Sequence, residues 1–419
     1  MKRVVPLIMS SLLAAGITYG SAAVVPSIQL ARTGEKIEVT FTGALQMSTN
    51  LGGAWLTLTN ATSPFQVEIS SPRAFFRAAA LPAASIFAST SVVQLTVTGP
   101  LQKHFELAHA GMPDGIFPPL REKPYFDGSI THEGATIPAS LRVRGNSSLQ
   151  ECPFPKLKFK ISSVNRAGTA FAEAREVKIG THCAEGGRGP IGRLREQIAT
   201  YREALAYEAL ALIDAPAPKV RRAEITYKDT TSTNDSEMVG WELTRQALLV
   251  EDVEVIAERI GGRALKDEEV SALKDPIFDE QLVTNLRLFN ALIGNWDYSI
   301  GEMERGLWNV DVIEMPDRSH MLVAGDFDLA SWVTGQTRLM APHDYRPDLP
   351  DLERQAHYEV DQVQQRVSPT SFLAALQMFA ERRAALEALV QQSLLDAEGR
   401  TNALAHINAF YAALPPIKP

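Results

Sequence analysis

Two hydrophobic periods divide the chain. Between residues 27 and 78, apolar positions recur at every second residue. Ile37-Glu38-Val39-Thr40-Phe41 alternates as a half-buried strand does, and Trp55-Leu56-Thr57-Leu58 repeats the pattern. Asn60-Ala61-Thr62-Ser63-Pro64 predicts a turn. Phe65–Ile69 predicts the next strand and Arg73–Arg77 a closing one. Trp55, Phe75 and Phe76 read as core. After an Ala-rich linker at 78–90, strands are predicted at Val92–Thr98, Leu141–Arg144, Leu157–Ile161 and Val177–Ile179. Residues 108–135 are rich in Gly, Pro and Asp and predict ordered loops with short strands.

The period then lengthens. Ile198, Tyr201, Leu205, Ala209 and Leu212 are spaced for one face of a helix running from Leu194 to Ile213, which Pro216 and Pro218 would stop. Arg222–Tyr227 and Gly240–Glu251 return to strand or mixed signals. Val253–Ile260 predicts a short helix ended by Gly261-Gly262. Leu282, Leu286, Phe289 and Ile293 line another, and the tail from about Ser368 to Ala413 is mainly helical. A β-rich part with one inserted helix, followed by a helical part, predicts an α+β arrangement with the ligand site in the cleft between them.

Composition narrows the function classes. Of 419 residues, 45% are hydrophobic and 21% charged, which excludes disorder across the whole chain. A formal charge of −8 argues against broad nucleic-acid binding. Lys2 and Arg3, an apolar run from Val4 to about Ile17, and the small residues Ser21-Ala22-Ala23 predict a cleaved export signal over 1–23. No later segment has about 18 consecutive apolar residues, so no stable membrane span is expected. The expected location is extracytoplasmic: periplasmic, secreted or cell-surface. In such a compartment Cys152 and Cys183 are read as a disulfide closing a loop of about 30 residues. Buried free thiols, or a metal site shared with His182, are the alternatives.

Two acidic strings carry the candidate chemistry. Leu292-Ile293-Gly294-Asn295-Trp296-Asp297-Tyr298-Ser299 ends an apolar helix at a Gly turn and presents Asp297, with Asn309 twelve positions on. In Val323-Ala324-Gly325-Asp326-Phe327-Asp328-Leu329-Ala330, a strand would put Asp326 and Asp328 on one face. Two carboxylates so placed repel unless a cation or base compensates. A magnesium–nucleotide complex supplies hard-ligand compensation. Calcium or a salt-bridged turn is the alternative.

The order of motifs resembles the spore-coat protein H (CotH) type of atypical kinase family. The resemblance rests on LRVRGNSS (141–148), FPKLKFKIS, REVKIGTHC (175–183), RLREQIATYREALAYEAL, LLVEDVEVIAERIGG (248–262), LRLFNALIGNWDYS and GDFDLA. It covers about 137–335 and extends toward 410. It implies a bilobal, atypical protein-kinase-like α+β fold with an N-terminal all-β accessory module. The implied order is a signal at 1–23, the module at 24–80, a linker with leading strands at 81–136, and the kinase-like domain at 137–415. It implies ATP- and Mg2+-dependent phosphoryl transfer to a Ser/Thr hydroxyl of a protein or cell-surface acceptor. Asp297 would orient the acceptor hydroxyl or take its proton. Asp326 would hold the metal, with Asn309 and Asp328 assisting. Lys178 would contact the nucleotide phosphates, with Lys160 and Lys158 as rivals, and Glu196 or Glu208 would pair with that lysine. Glu251 would belong to the nucleotide cleft. Arg144 and Asn146 are read equally as structural. Gly186-Gly187-Arg188-Gly189 is only a weak substitute for the family's phosphate loop. That weakness, with the accessory module, keeps a second expectation open: a non-catalytic, surface-binding protein on the same scaffold.

Overall fold

The computed structural model describes residues 27–416, apart from 34–35, 50–54, 59–60, 69–73, 80–83, 111–122, 232–239, 274–277 and 302–305. The predicted export signal lies outside the described residues. The described residues fall into two compact units. One lies within Met1–Leu81 together with Thr131–Thr136, the other within Pro82–Ile130 and Ile137–Pro419.

The first unit holds β1 (Ser27–Thr33), β2 (Lys36–Thr42), β3 (Ala44–Ser48), β4 (Leu56–Thr57), β5 (Phe65–Glu68) and β6 (Phe75–Ala79). They form two three-stranded sheets, ordered β1-β2-β5 and β4-β3-β6. The alternation in β2 does what it predicts: Val39 and Phe41 are buried, while Thr40 and Thr42 face out. With Leu45 they make a small separate core.

In the second unit, β7 (Val93–Gly99), α1 (Leu101–Ala110), β8 (Phe126–His132), β9 (Ala135–Arg144), α2 (Ser147–Glu151), β10 (Lys156–Lys160), α3 (Ser163–Arg166), β11 (Glu176–Gly180), α4 (Ile198–Leu210), β12 (Val220–Asp229) and β13 (Glu242–Glu251) follow in order. Seven of the strands close into a barrel ordered β10-β11-β13-β12-β7-β8-β9. The β9–β10, β10–β11, β11–β13 and β12–β13 pairs are antiparallel, whereas β7 and β12 run parallel. Leu157 and Phe159 of β10 point inward against Leu141 and Val143 of β9 and Val177 and Ile179 of β11. Each such side chain contributes roughly 1.5–3 kcal/mol by leaving water. Cys152 and Cys183 are joined in a disulfide, with Cα atoms 4.5 Å apart, which ties the end of α2 to the segment after β11.

The remaining elements are α5 (Val253–Ile260), β14 (Arg263–Ala264), α6 (Asp267–Ser271), α7 (Glu280–Ile293), β15 (Ser299–Ile300), β16 (Leu307–Trp308), β17 (Val310–Glu314), β18 (His320–Ala324), α8 (Ser331–Thr334), α9 (Asp351–Arg366), α10 (Pro369–Gln392) and α11 (Ala397–Ala413). α5 begins at the side chain of Asp252, which accepts from the Glu254 N–H, and ends at left-handed Gly261 as predicted. α4 is buried on nearly every side, including Arg202 and Glu203. It packs with the outward residues Leu248 and Val250 of the barrel and with the helices in one core. No helix among the described residues is long and apolar enough to cross a membrane.

The expected bilobal kinase-like fold is corrected by the barrel. Its β-rich part is not the open sheet of a separate small lobe. β7, assigned to the leading strands ahead of the domain, pairs along its whole length with β12, from Val93–Ala223 to Gly99–Asp229. That pairing inserts β7 into the ring between β8 and β12. Alternation shows which residues of a strand face inward. It carries no information on which distant strand will be the neighbour, and a parallel neighbour has no hairpin turn to announce it.

Candidate active site

The barrel's outer face and the helical half meet at a cluster of buried charge. Because Leu157 and Phe159 face inward, Lys156, Lys158 and Lys160 all project outward from β10. Lys156 is almost fully buried and forms ion pairs with both Asp326 and Asp328. Burial pulls its ammonium below the usual lysine range, against the pull of Asp326 and Glu203. Glu203 of α4 is buried and pushed upward by that burial, opposed first by Lys156. Gly180 lies alongside: a Cβ there would be tight against Leu248 Cβ at 3.3 Å and in ordinary contact with Glu203 Oε2 at 3.5 Å.

The Gly-Asp-Phe-Asp turn follows β18. Asp326 adopts φ +57°, and its N–H donates to the Tyr207 hydroxyl at 2.8 Å. Burial pushes the Asp326 carboxyl upward, but Lys156, Arg144 and Arg193 outweigh it and hold it well below the carboxylate range. Its side chain keeps 35% of its surface exposed, against 11% for Asp328. Asp328 is closed off by Lys156 and Arg193. Arg193 in turn donates to Glu151 at 2.9 Å, and Glu151 also accepts the Ile191 N–H at 3.0 Å. The Gly186–Arg193 segment is thus anchored through Glu151, next to the disulfide.

Asp297 is set by the end of α7. The helix stops at Gly294 in a left-handed conformation, where a Cβ would come within 2.7 Å of Ser331 Oγ. Gly294 O accepts from Ser331 N at 3.0 Å, tying the Asp297 turn to the start of α8. The Asp297 N–H donates to Asn295 Oδ1 at 3.1 Å. Its carboxylate accepts from Trp308 Nε1 at 3.0 Å and from Asn309 Nδ2 at 3.1 Å. Burial and the neighbouring charge of Asp326 raise it, and those two donors with Arg193 offset part of the rise. Asn309 has φ +53°, and its carbonyl accepts the Gly325 N–H at 3.0 Å. Between Asp297 and Asn309 the chain forms the β15–β16 pair, and the β17–β18 hairpin sets Asn309 beside Asp326.

The structure therefore brings Asp297, Asn309, Asp326 and Asp328 together. Lys178 sits farther along the same face, 3.4 Å from Asp311 and 4.0 Å from Asp252. Lys158 bridges Glu176 and Asp252, the latter at 2.9 Å, and half-exposed Lys160 is 3.3 Å from Glu176. Glu196 is exposed ahead of α4. Glu208 pairs with Arg222. Glu251 is buried, with its carboxylate accepting from the Lys219 N–H at 2.9 Å and Arg259 at 2.8 Å. These residues do not join the acidic cluster. Sequence reasoning missed Lys156, Glu203, Arg193, Glu151 and Tyr207. The alternating lysines of β10 were the available signal; the choice among them needed the third dimension.

Among the described residues, no three His, Cys, Asp or Glu side chains are gathered closely enough to hold a metal alone. Magnesium does not require that, since it takes one or two carboxylates and completes its shell with waters and substrate phosphates. Partly exposed Asp326 and the Asn309 amide oxygen, whose nitrogen is engaged with Asp297, fit that donor chemistry. The chain matches no known protein-family model and no curated protein sequence.

Proposed function

We propose that the protein is a CotH-type phosphotransferase that moves the γ-phosphoryl group of ATP to a Ser/Thr hydroxyl of a protein or surface component. The supporting observation is the convergence of one buried lysine, Lys156, on the Gly-Asp-Phe-Asp turn, with Asp297 next to it. Asp297 takes the acceptor's proton as the hydroxyl oxygen attacks the γ-phosphorus. The bond to the β–γ bridging oxygen breaks, and ADP leaves. The raised Asp297 carboxyl suits a base better than an ordinary aspartate does. Trp308 and Asn309 fix its direction. Lys156 turns from Asp326 toward phosphate oxygens, and Glu203 keeps a counter-charge behind it. Asp326 and Asn309 would hold Mg2+, which supplies neutralisation of the phosphate charge. Arg193 and Asp328 hold the walls of the site in place. The disulfide accords with an extracytoplasmic setting.

The test is transfer of label from γ-labelled ATP by the protein with magnesium. Asp297→Ala and Asp326→Ala are expected to lower the rate about 10²- to 10⁴-fold. Magnesium-dependent ATP binding without transfer by the unaltered protein would instead establish a non-catalytic nucleotide-binding protein.

A further inference from the structure

The barrel's outer face carries a cation that feels the charge of Asp326 and Glu203 but makes no direct ion pair with either. Across β9 and β10, Arg142 stands opposite Lys158 and Arg144 opposite Lys156; across β10 and β11, Lys158 stands opposite Lys178. Directly paired residues project from the same face, and like charges there destabilise a sheet. Most of this ladder is compensated. Lys156 has Asp326 and Asp328, Lys158 has Glu176 and Asp252, and Lys178 has Asp311. Arg142 lies over the Tyr125 ring at 5.0 Å. Arg144, half-buried at the end of β9, forms no ion pair or hydrogen bond among the described residues.

The backbone under Arg144 is nevertheless fixed. Gly145 follows with φ +100°, and a Cβ there would strike Ser148 Oγ at 2.1 Å. The Gly145 carbonyl accepts from Lys123 Nζ at 2.7 Å. An unpaired guanidinium on a fixed strand end, beside a buried lysine, is prepared for an anion. Its rigid fork matches phosphate oxygens two at a time.

We propose that Arg144 binds the non-transferred phosphates of the nucleotide beside Lys156. This rests on the phosphotransfer reading above. The side of the cluster follows from the strands: Arg144 and Lys156 belong to the barrel, whereas Asp297 and Trp308 define the acceptor side. One guanidinium–phosphate contact accounts for about a tenfold to hundredfold change in affinity.

Calorimetric titration of the whole protein with ADP and with adenosine, both with magnesium, tests the assignment. Arg144→Gln is expected to weaken ADP at least about tenfold and to leave adenosine unchanged. Arg144→Lys should fall between, because a point charge replaces a fork. Arg142→Gln, which removes a cation from the same face of the same strand, should leave ADP affinity within about twofold. Equal ADP affinity in Arg144→Gln and unaltered protein overturns the assignment, as does parallel loss of ADP and adenosine. A rise in acceptor KM with ATP KM unchanged also overturns it, placing Arg144 on the acceptor. Should Arg144→Gln fail to melt cooperatively, Arg144→Lys carries the comparison, and ADP affinity equal to that of Arg142→Gln overturns the assignment. If the unaltered protein binds no ADP, the phosphotransfer reading falls and takes this one with it; if it binds ADP and Arg144→Gln binds equally, only this one falls.

Discussion

Lys156 and Lys158 lie two residues apart on one strand and face the same way, yet their surroundings are opposite in character. Lys158 is held by Glu176 and Asp252, and although burial lowers its ammonium pKa, the two carboxylates outweigh it and raise it. Around Lys156 burial wins, and the ammonium is lowered despite Asp326. The first cluster is closed, with side chains of Glu176 and Asp252 exposed by 8% and 2%. The second opens at Asp326. Saturated charge braces the barrel against α5, and charge left partly unsatisfied next to an opening is available for chemistry.

The largest effect should come from breaking the brace. Lys158→Met leaves two buried carboxylates, relieved only in part by Lys160 and Lys178, and is expected to cost toward the lower end of roughly 3–5 kcal/mol by denaturant unfolding. The pH dependence sharpens this. Burial pushes the Glu176 carboxyl up, but Lys158 brings it below its ordinary range; for Asp252, Lys178 and Lys158 do the same. Stability from such groups is present above about pH 4 and lost as pH falls through their lowered values. Without Lys158 the same buried carboxyls are raised, so acid relieves them. The melting-temperature deficit of Lys158→Met should therefore narrow between pH 7 and about pH 4. A deficit that widens on acidification would contradict the brace.

The covalent tie is of comparable size. Replacing Cys152 and Cys183 with Ser should cost about 3–4 kcal/mol for a loop of this length. Because Glu151 adjoins the bridge and holds Arg193, phosphoryl transfer should fall as well; unchanged transfer in folded protein would separate the bridge from the site. Lys156→Met should cost less, about 1–3 kcal/mol, because Asp328 keeps Arg193 and Asp326 keeps solvent. Tyr207→Phe removes the acceptor for the Asp326 N–H and should cost about 1 kcal/mol with a slower transfer. Unchanged transfer by the Tyr207→Phe variant would show that the Asp326 turn needs no such support.

Local features were legible in the residues, and distant ones were not. The α5 helix could be placed from its apolar spacing and its two glycines, and the alternation of β2 and β10 gave their inward faces. Asp297 and Asp326 could be selected because each follows an apolar run at a Gly-containing turn, and Asn309 because it opens the strand that begins at Val310. Closure of the barrel depends on the parallel β7–β12 pair, whose partners are separated by more than a hundred residues and share no turn. The sequence offers Lys178, with Lys160 and Lys158 as rivals, and nothing in it singles out Lys156; the register is what separates them. Lys178 pairs across from Lys158 and so falls beside Asp252 and Asp311, while Lys156, at the start of β10, reaches the turn after β18. The twelve positions from Asp297 to Asn309 are accommodated by the β15–β16 pair, which residue spacing alone does not reveal.

The most direct test of this division of labour is single-turnover transfer from γ-labelled ATP, normalised to the folded fraction, in Lys156→Met and Lys178→Met. The account predicts transfer lost in Lys156→Met and retained in Lys178→Met. Transfer retained in Lys156→Met and lost in Lys178→Met would contradict it.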